Sequence, residues 1–136
     1  MQYDGYLRSG KPMFFPDFDY LEKFDLSVIS TKDLLDIHSC IKYQVDYISV
    51  PYIEKKKDIL EIKDLLSSKG RHIKILAKIQ NKKALQNFDE ILEEADGIII
   101  ARGYLGIDQK MSDLFLVQKY IIQKCRQIGK PAILST

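Results

Sequence analysis

Four short apolar runs punctuate the chain: Tyr47 to Val50, Ile73 to Ile79, Gly97 to Ala101 and Pro131 to Ser135. Three of them are nearly continuous in isoleucine, leucine, valine and alanine, the pattern of parallel strands covered on both faces. Between the runs, apolar residues recur at helical spacing. Leu34, Ile37, Ile41 and Val45 form one stripe, with Ser30 or Thr31 placed to cap its start. A second stripe carries Ile59, Ile62, Leu65 and Leu66, and Gly70 beyond it is expected to end the helix as its C′ residue. A third, capped by Asn81, presents Ala84, Leu85, Phe88, Ile91 and Leu92. The last, with Ser112 as its cap, presents Phe115, Leu116, Tyr120, Ile122 and Cys125, and stops at Gly129 with Pro131 beyond.

The resulting order is α-β-α-β-α-β-α-β, with strands expected to start at Asp46, Ile73, Gly97 and Pro131. That spacing suits the roughly 31 residues per unit of an eight-stranded β/α barrel. It suits a doubly wound sheet equally well, so spacing alone leaves both open. The predicted fold class is α/β, about four parallel strands alternating with helices. Four strands would be half of a barrel with two unpaired edges, which must pair with another copy, curl into a small sheet or stay loosely folded. Residues 1–29 differ in character: aromatics (Tyr3, Tyr6, Phe14, Phe15, Phe18, Tyr20, Phe24) alternate with the breakers Gly5, Gly10, Pro12 and Pro16. They read as a loop or strand arriving from other structure.

Composition narrows the function classes. The chain has 136 residues, 46% of them hydrophobic, enough for one modest core. Lysine and arginine number 21 against 19 acidic residues, a net charge of +2 that gives no field for nucleic-acid binding. The densest basic run, Lys55-Lys56-Lys57, is expected to be a solvated helix face. No apolar stretch reaches the roughly 18 residues of a membrane span and no signal-like segment opens the chain, so residence in the cytoplasm is expected. Cys40 and Cys125 lie among apolar neighbours and are expected to be buried, reduced thiols; His38 and His72 each stand alone, without metal-ligand spacing.

Chemistry in a β/α barrel sits at the carboxyl ends of the strands. Those ends carry Lys78, Gln80 and Asn81, then Arg102, Gly103 and Tyr104, then Ser135 and Thr136. Read as residues alone, Lys78 is a solvated strand-end lysine, Asn81 a helix cap, and Arg102-Gly103 a turn that uses glycine's backbone freedom.

The segments around these residues resemble the central part of pyruvate kinase. The resemblance is carried by K-I-L-A-K-I-Q-N (Lys74 to Asn81), F-D-E-I-L-E-E-A-D-G-I-I-I-A-R-G-Y-L-G-I (Phe88 to Ile107) and Q-K-Y-I-I-Q-K-C-R-Q-I-G-K-P-A-I-L-S-T (Gln118 to Thr136). Upstream, Ile29 to Leu34 and Val45 to Ile53 are similar to that family's third helix entry and fourth strand, and Leu7 to Met13 is a fainter echo of the return from its cap domain.

The resemblance implies a partial TIM-type barrel, strands four to seven, over residues 30–136, with residues 1–29 the remnant of the cap-domain return and linker. It implies glycolytic phosphoryl transfer from phosphoenolpyruvate to ADP, giving pyruvate and ATP, with Mg²⁺ and K⁺ as cofactors. The family's nucleotide and potassium residues lie largely upstream of the matching portion. Lys78 matches the lysine that neutralises charge on the transferring phosphoryl and enolate, and Thr136 the threonine near the reacting end. Gly103, with Tyr104, matches the turn that holds the substrate carboxylate.

Two positions depart from the family pattern. Where it reads K-I-E-N and A-R-G-D-L-G, with acidic metal ligands, this chain has Gln80 and Tyr104. Little or no activity of the isolated chain is therefore expected. The alternative expectation is a non-catalytic segment that associates with itself or with a complementary chain.

Overall fold

Ser30 fixes where the first helix begins. The computed structural model describes residues 29–108 and 111–135, and in it the Ser30 hydroxyl accepts from Asp33 N while the Asp33 carboxylate accepts from Ser30 N at 2.8 Å. This reciprocal cap satisfies two donors that a helix start leaves bare. It sets α1 at Thr31–Lys42, with Ile37 its buried residue. The expectations for residues 1–28, and for Thr136, lie outside the described residues.

The chain continues through β1 (Tyr47–Val50), α2 (Lys56–Leu66), β2 (Lys74–Ile79), α3 (Lys82–Gln86), α4 (Phe88–Glu94), β3 (Gly97–Ala101), α5 (Arg102–Asp108), α6 (Met111–Gln127) and β4 (Ala132–Ser135). All three strand pairings are parallel, and the sheet order is β1-β2-β3-β4. A doubly wound sheet reverses its strand order at a switch point. This sheet has no reversal, so among the alternatives left by spacing the structure takes the barrel-like one.

Right-handed crossovers between successive neighbouring strands place every helix on the same face. Ile75, Ala77 and Ile79 of β2 and Ile98 and Ile100 of β3 join Ile59, Ile62, Phe88, Ile91, Ile121 and Cys125 in one buried cluster. Side chains alternate along a strand, so Leu76, Lys78 and Ile99 face the other way. Here the sequence expectation needs correcting: among the described residues, helices cover one face of the sheet rather than two. The edge strand β4 shows the difference most, with Ile133 44% and Leu134 46% exposed despite its apolar run.

Several local expectations are also corrected. Helix α2 ends not at Gly70 but at Ser67, which takes φ 51°; Gly70 is needed because an added Cβ would sit 2.8 Å from the Leu66 carbonyl oxygen. The third helical pattern is two helices, broken at Asn87, which closes α3 and opens α4. Ser112 lies inside the first turn of α6 rather than capping it. Gly129 does turn the chain after α6, at φ +71°. Cys125 is buried as expected, and burial pushes its thiol pKa up, whereas Cys40 is only half-buried; both are free.

The basic run is no simple solvated face either. Lys56 Nζ lies 2.9 Å from Glu93 and 3.0 Å from Glu94, and Lys63 Nζ 2.7 Å from Glu94, tying α2 to α4. Lys124 reaches Asp89 at 3.0 Å, and Tyr120 stacks at a tilt on Phe88, so α4 and α6 are joined in the same way. No helix among the described residues is long and apolar enough to cross a membrane.

Candidate functional site

Because the four strands are parallel, their carboxyl ends share one rim of the sheet. The rim holds the β1–α2 loop from Pro51, the β2–α3 corner at Gln80 and Asn81, the start of α5 at Arg102, and Ser135. The register sets Lys78 opposite Ile99 and Ile79 opposite Ile100, so Gln80 follows one step beyond the paired ladder.

Gln80 is 5% exposed, and its Oε1 accepts a hydrogen bond from Tyr52 N at 2.9 Å. Tyr52 sits at φ 57°, a left-handed conformation that a bulky side chain rarely takes. Next to it, Asn81 does two things. Its Oδ1 accepts from Ala84 N at 2.8 Å, capping α3, and its Nδ2 donates to Glu54 Oε1 at 2.7 Å. Lys83 Nζ lies 3.1 Å from the other Glu54 oxygen, and Asn87 Nδ2 donates to the Glu54 carbonyl at 2.8 Å. The buried Asp58 carboxylate then accepts from Glu54 N and Lys55 N. The β1–α2 loop is thus held from both sides. Sequence reasoning missed Glu54, Asp58 and Asn87; the aspartate in the first turn of E-K-K-K-D was the one available signal.

Lys78 is half-buried on the sheet face away from the helices, and its ammonium meets no hydrogen-bond or ion-pair partner among the described residues. Arg102 opens α5, and its Nε is enclosed without a partner among those residues. Gly103 does not form the expected glycine turn. It lies within the first turn of α5 with no left-handed φ, and an added Cβ would meet nothing within 4 Å. Its small size is not required by packing, and its N–H belongs to the set that a helix start leaves without an intrahelical acceptor. Tyr104 follows on the same helix, 36% exposed.

The donor set does not fit a magnesium ion. Mg²⁺ requires oxygen ligands, charged ones above all, in near-octahedral geometry. No group of three histidine, cysteine, aspartate or glutamate side chains is gathered among the described residues. At the rim the two relevant positions offer an amide oxygen already engaged by a backbone N–H and a phenol in place of charged carboxylate oxygens.

Residues 2–136 match the family described as pyruvate kinase, barrel domain. The chain is 44% identical over 112 residues to a pyruvate kinase of Dictyostelium discoideum, covering 82% of this chain and 22% of the relative. It is 40% identical over 133 residues to that of Hypocrea jecorina, 98% of this chain and 24% of the relative. With that of Eimeria tenella it shares 46% identity over 115 residues, 84% of this chain and 22% of the relative. The chain spans about a quarter or less of the length of these relatives. A singly wound parallel sheet, helices on one face and a family match over nearly every residue lead to one assignment: the chain belongs to the pyruvate kinase family, as part of its barrel domain.

Proposed function

We propose that this chain is a segment of the catalytic barrel, residues 30–136, joined to the return from the cap domain at residues 1–29, and that by itself it transfers phosphate little or not at all. The family reaction moves a phosphoryl group from phosphoenolpyruvate to ADP. Such a transfer depends on positioning and on neutralising charge, in which a divalent ion bears a large part. In this reading Lys78 supplies the remaining cation at the transferring group. Gly103 and Tyr104, in the first turn of α5, lie where the substrate carboxylate would be held, and Thr136 would deliver a proton to the enolate. No step is assigned to Mg²⁺ or K⁺.

The observation that carries the reading is the Gln80 hydrogen bond to Tyr52 N: the residue at a metal-ligand position of the family is neutral, buried and engaged in holding a loop. Family membership supports phosphoenolpyruvate and ADP as the ligand classes and the cytoplasm as the place. The test is pyruvate formation by the purified, folded chain with phosphoenolpyruvate, ADP, Mg²⁺ and K⁺. Pyruvate no faster than in the absence of ADP is the expected result. Sustained ADP-dependent turnover would overturn the reading.

A further inference from the structure

The parallel ladder between β1 and β2 ends at Val50 and Ala77. Pro51 follows, and it brings no N–H with which to continue the pairing. Beyond that point side chains span the two loops. Gln80 Oε1 accepts from Tyr52 N at 2.9 Å, and one residue further along each loop's path Asn81 Nδ2 donates to Glu54 Oε1 at 2.7 Å, with Ile53 intervening on the first loop. Both bonds are partly buried, and Ile53 is fully so. Residues 52–54 and 80–81 therefore form a closed ring with a hydrogen bond at each end. Glu54 enters that ring with its backbone already fixed, its N–H donating to Asp58 Oδ2 at 2.9 Å and its carbonyl accepting from Asn87 Nδ2 at 2.8 Å. Asn81 is fixed as well, because its Oδ1 is committed to Ala84 N at 2.8 Å.

We infer that Glu54 is a positioning residue of the rim: through Asn81 it sets the direction of the neighbouring Gln80, and so keeps that amide on Tyr52 N and away from any ligand above the strand ends. A long side chain such as Gln80 has several rotamers, and one hydrogen bond to a loop N–H selects among them only while that loop stays in place. Tyr52, at φ 57°, is a strained anchor that surrounding contacts must hold. The Glu54–Asn81 bond supplies that hold. Breaking it frees the far end of the ring, so Tyr52 relaxes from the left-handed region and Gln80 is released. The Lys83 ammonium, 3.1 Å from the other Glu54 oxygen, adds less, since both side chains reach solvent. The inference rests on the proposed function only in taking this rim as the face where ligands sit. Its test reads no turnover, so loss of the coupling and recovery of phosphoryl transfer are separate results.

The experiment is hydrogen exchange of the Tyr52 amide in the full chain, followed by nuclear magnetic resonance beside the amides of Ile121 and Cys125, both buried in α6. Glu54→Ala should speed exchange at Tyr52 about tenfold while the α6 amides keep their rates. Asn81→Asp isolates the bond, because aspartate caps α3 as well as asparagine does but sets a carboxylate against Glu54 in place of a donor. It should speed Tyr52 to the same degree. Adding Glu54→Gln exchanges donor and acceptor across the same gap and should bring the rate back to within about threefold of the parent. Should Glu54→Ala fail to fold, as circular dichroism would show, Asn81→Asp and its rescue decide the question alone. Unchanged exchange at Tyr52 in either folded single variant would overturn the inference and leave Gln80 to hold the loop by itself. Equal acceleration at Ile121 and Cys125 would overturn it by making Glu54 a support of the whole fold. Absence of rescue in the double variant would overturn it as well, since the coupling would then not run through Asn81.

Discussion

Gln80 and Tyr52 are joined across 28 residues of sequence: the amide Oε1 of the first accepts the backbone N–H of the second at 2.9 Å. The bond links the carboxyl ends of neighbouring strands and holds Tyr52 at φ 57°. Removing the amide strips Tyr52 N of its acceptor in a partly buried loop. Gln80→Ala should therefore cost about 1 to 2 kcal/mol in urea unfolding. Tyr52→Asn should move the other way, by up to about 1 kcal/mol, because asparagine tolerates the left-handed region better. Equal losses from both variants would show that the tyrosine ring, rather than the bond, holds the loop.

The glycines of β3 and α5 should respond in opposite directions. An alanine Cβ at Gly97 would come within 2.7 Å of Leu76 Cδ2 and 2.8 Å of Pro131 Cγ, where strand β3 is wedged between its neighbours. Gly97→Ala should lose about 1 to 3 kcal/mol through overpacking. At Gly103 the same methyl meets nothing and the backbone is helical. Gly103→Ala should gain about 0.5 to 1 kcal/mol. Thermal unfolding of the pair decides it, and a loss at Gly103 comparable to that at Gly97 would mean the helical setting of α5 is wrong.

Acid should loosen the α2–α4 contact through one carboxylate. Hydrogen bonds from Lys63 and then Lys56 hold the Glu94 pKa down, from its ordinary 4.5 to about 2. A group depressed in the folded state stabilises above its unfolded pKa and loses that contribution as pH falls through the folded one. The contribution of Glu94 is thus present at neutral pH and disappears between about 4.5 and about 2. These lysines are about two-fifths exposed, so solvent screening keeps the effect within about 1 kcal/mol. Urea midpoints of the parent chain and Glu94→Gln should differ at pH 7 and converge toward pH 2. A gap that persists in acid would assign the difference to packing.

Much of this fold was legible because its signals are local. Short apolar runs mark all four strands, and Ser30 and Asn81 cap helices through the oxygen each brings to a nearby N–H. What was not legible depends on distant partners or on context. Asn87 splits one apolar stripe into two helices while its amide reaches back to the Glu54 carbonyl. Arg102-Gly103 suggested a turn, yet α5 runs through it, glycine's low helix propensity being outweighed by the burial of Leu105. At the rim, the resemblance set Gln80 against a carboxylate of the family pattern. It could not show the N–H that occupies the amide, since nothing in K-I-Q-N points to a residue 28 positions earlier.

That engagement makes the two departures at the rim separable by metal binding. A carboxylate has two oxygens, so Glu at position 80 could keep one on Tyr52 N and turn the other toward an ion, which the single oxygen of Gln80 cannot do as well. At position 104, a carboxylate in place of the phenol restores the second negative charge that a hard dication needs. The Gln80→Glu, Tyr104→Asp double variant should bind Mn²⁺ with a dissociation constant below about 1 mM, while the parent chain shows none in that range. Electron paramagnetic resonance of free Mn²⁺ reads both directly, without any activity. Binding by the parent would return the amide and phenol to the role of ligands and undo the argument from Gln80. Silence from both would locate the loss in the geometry of the rim, beyond the two side chains.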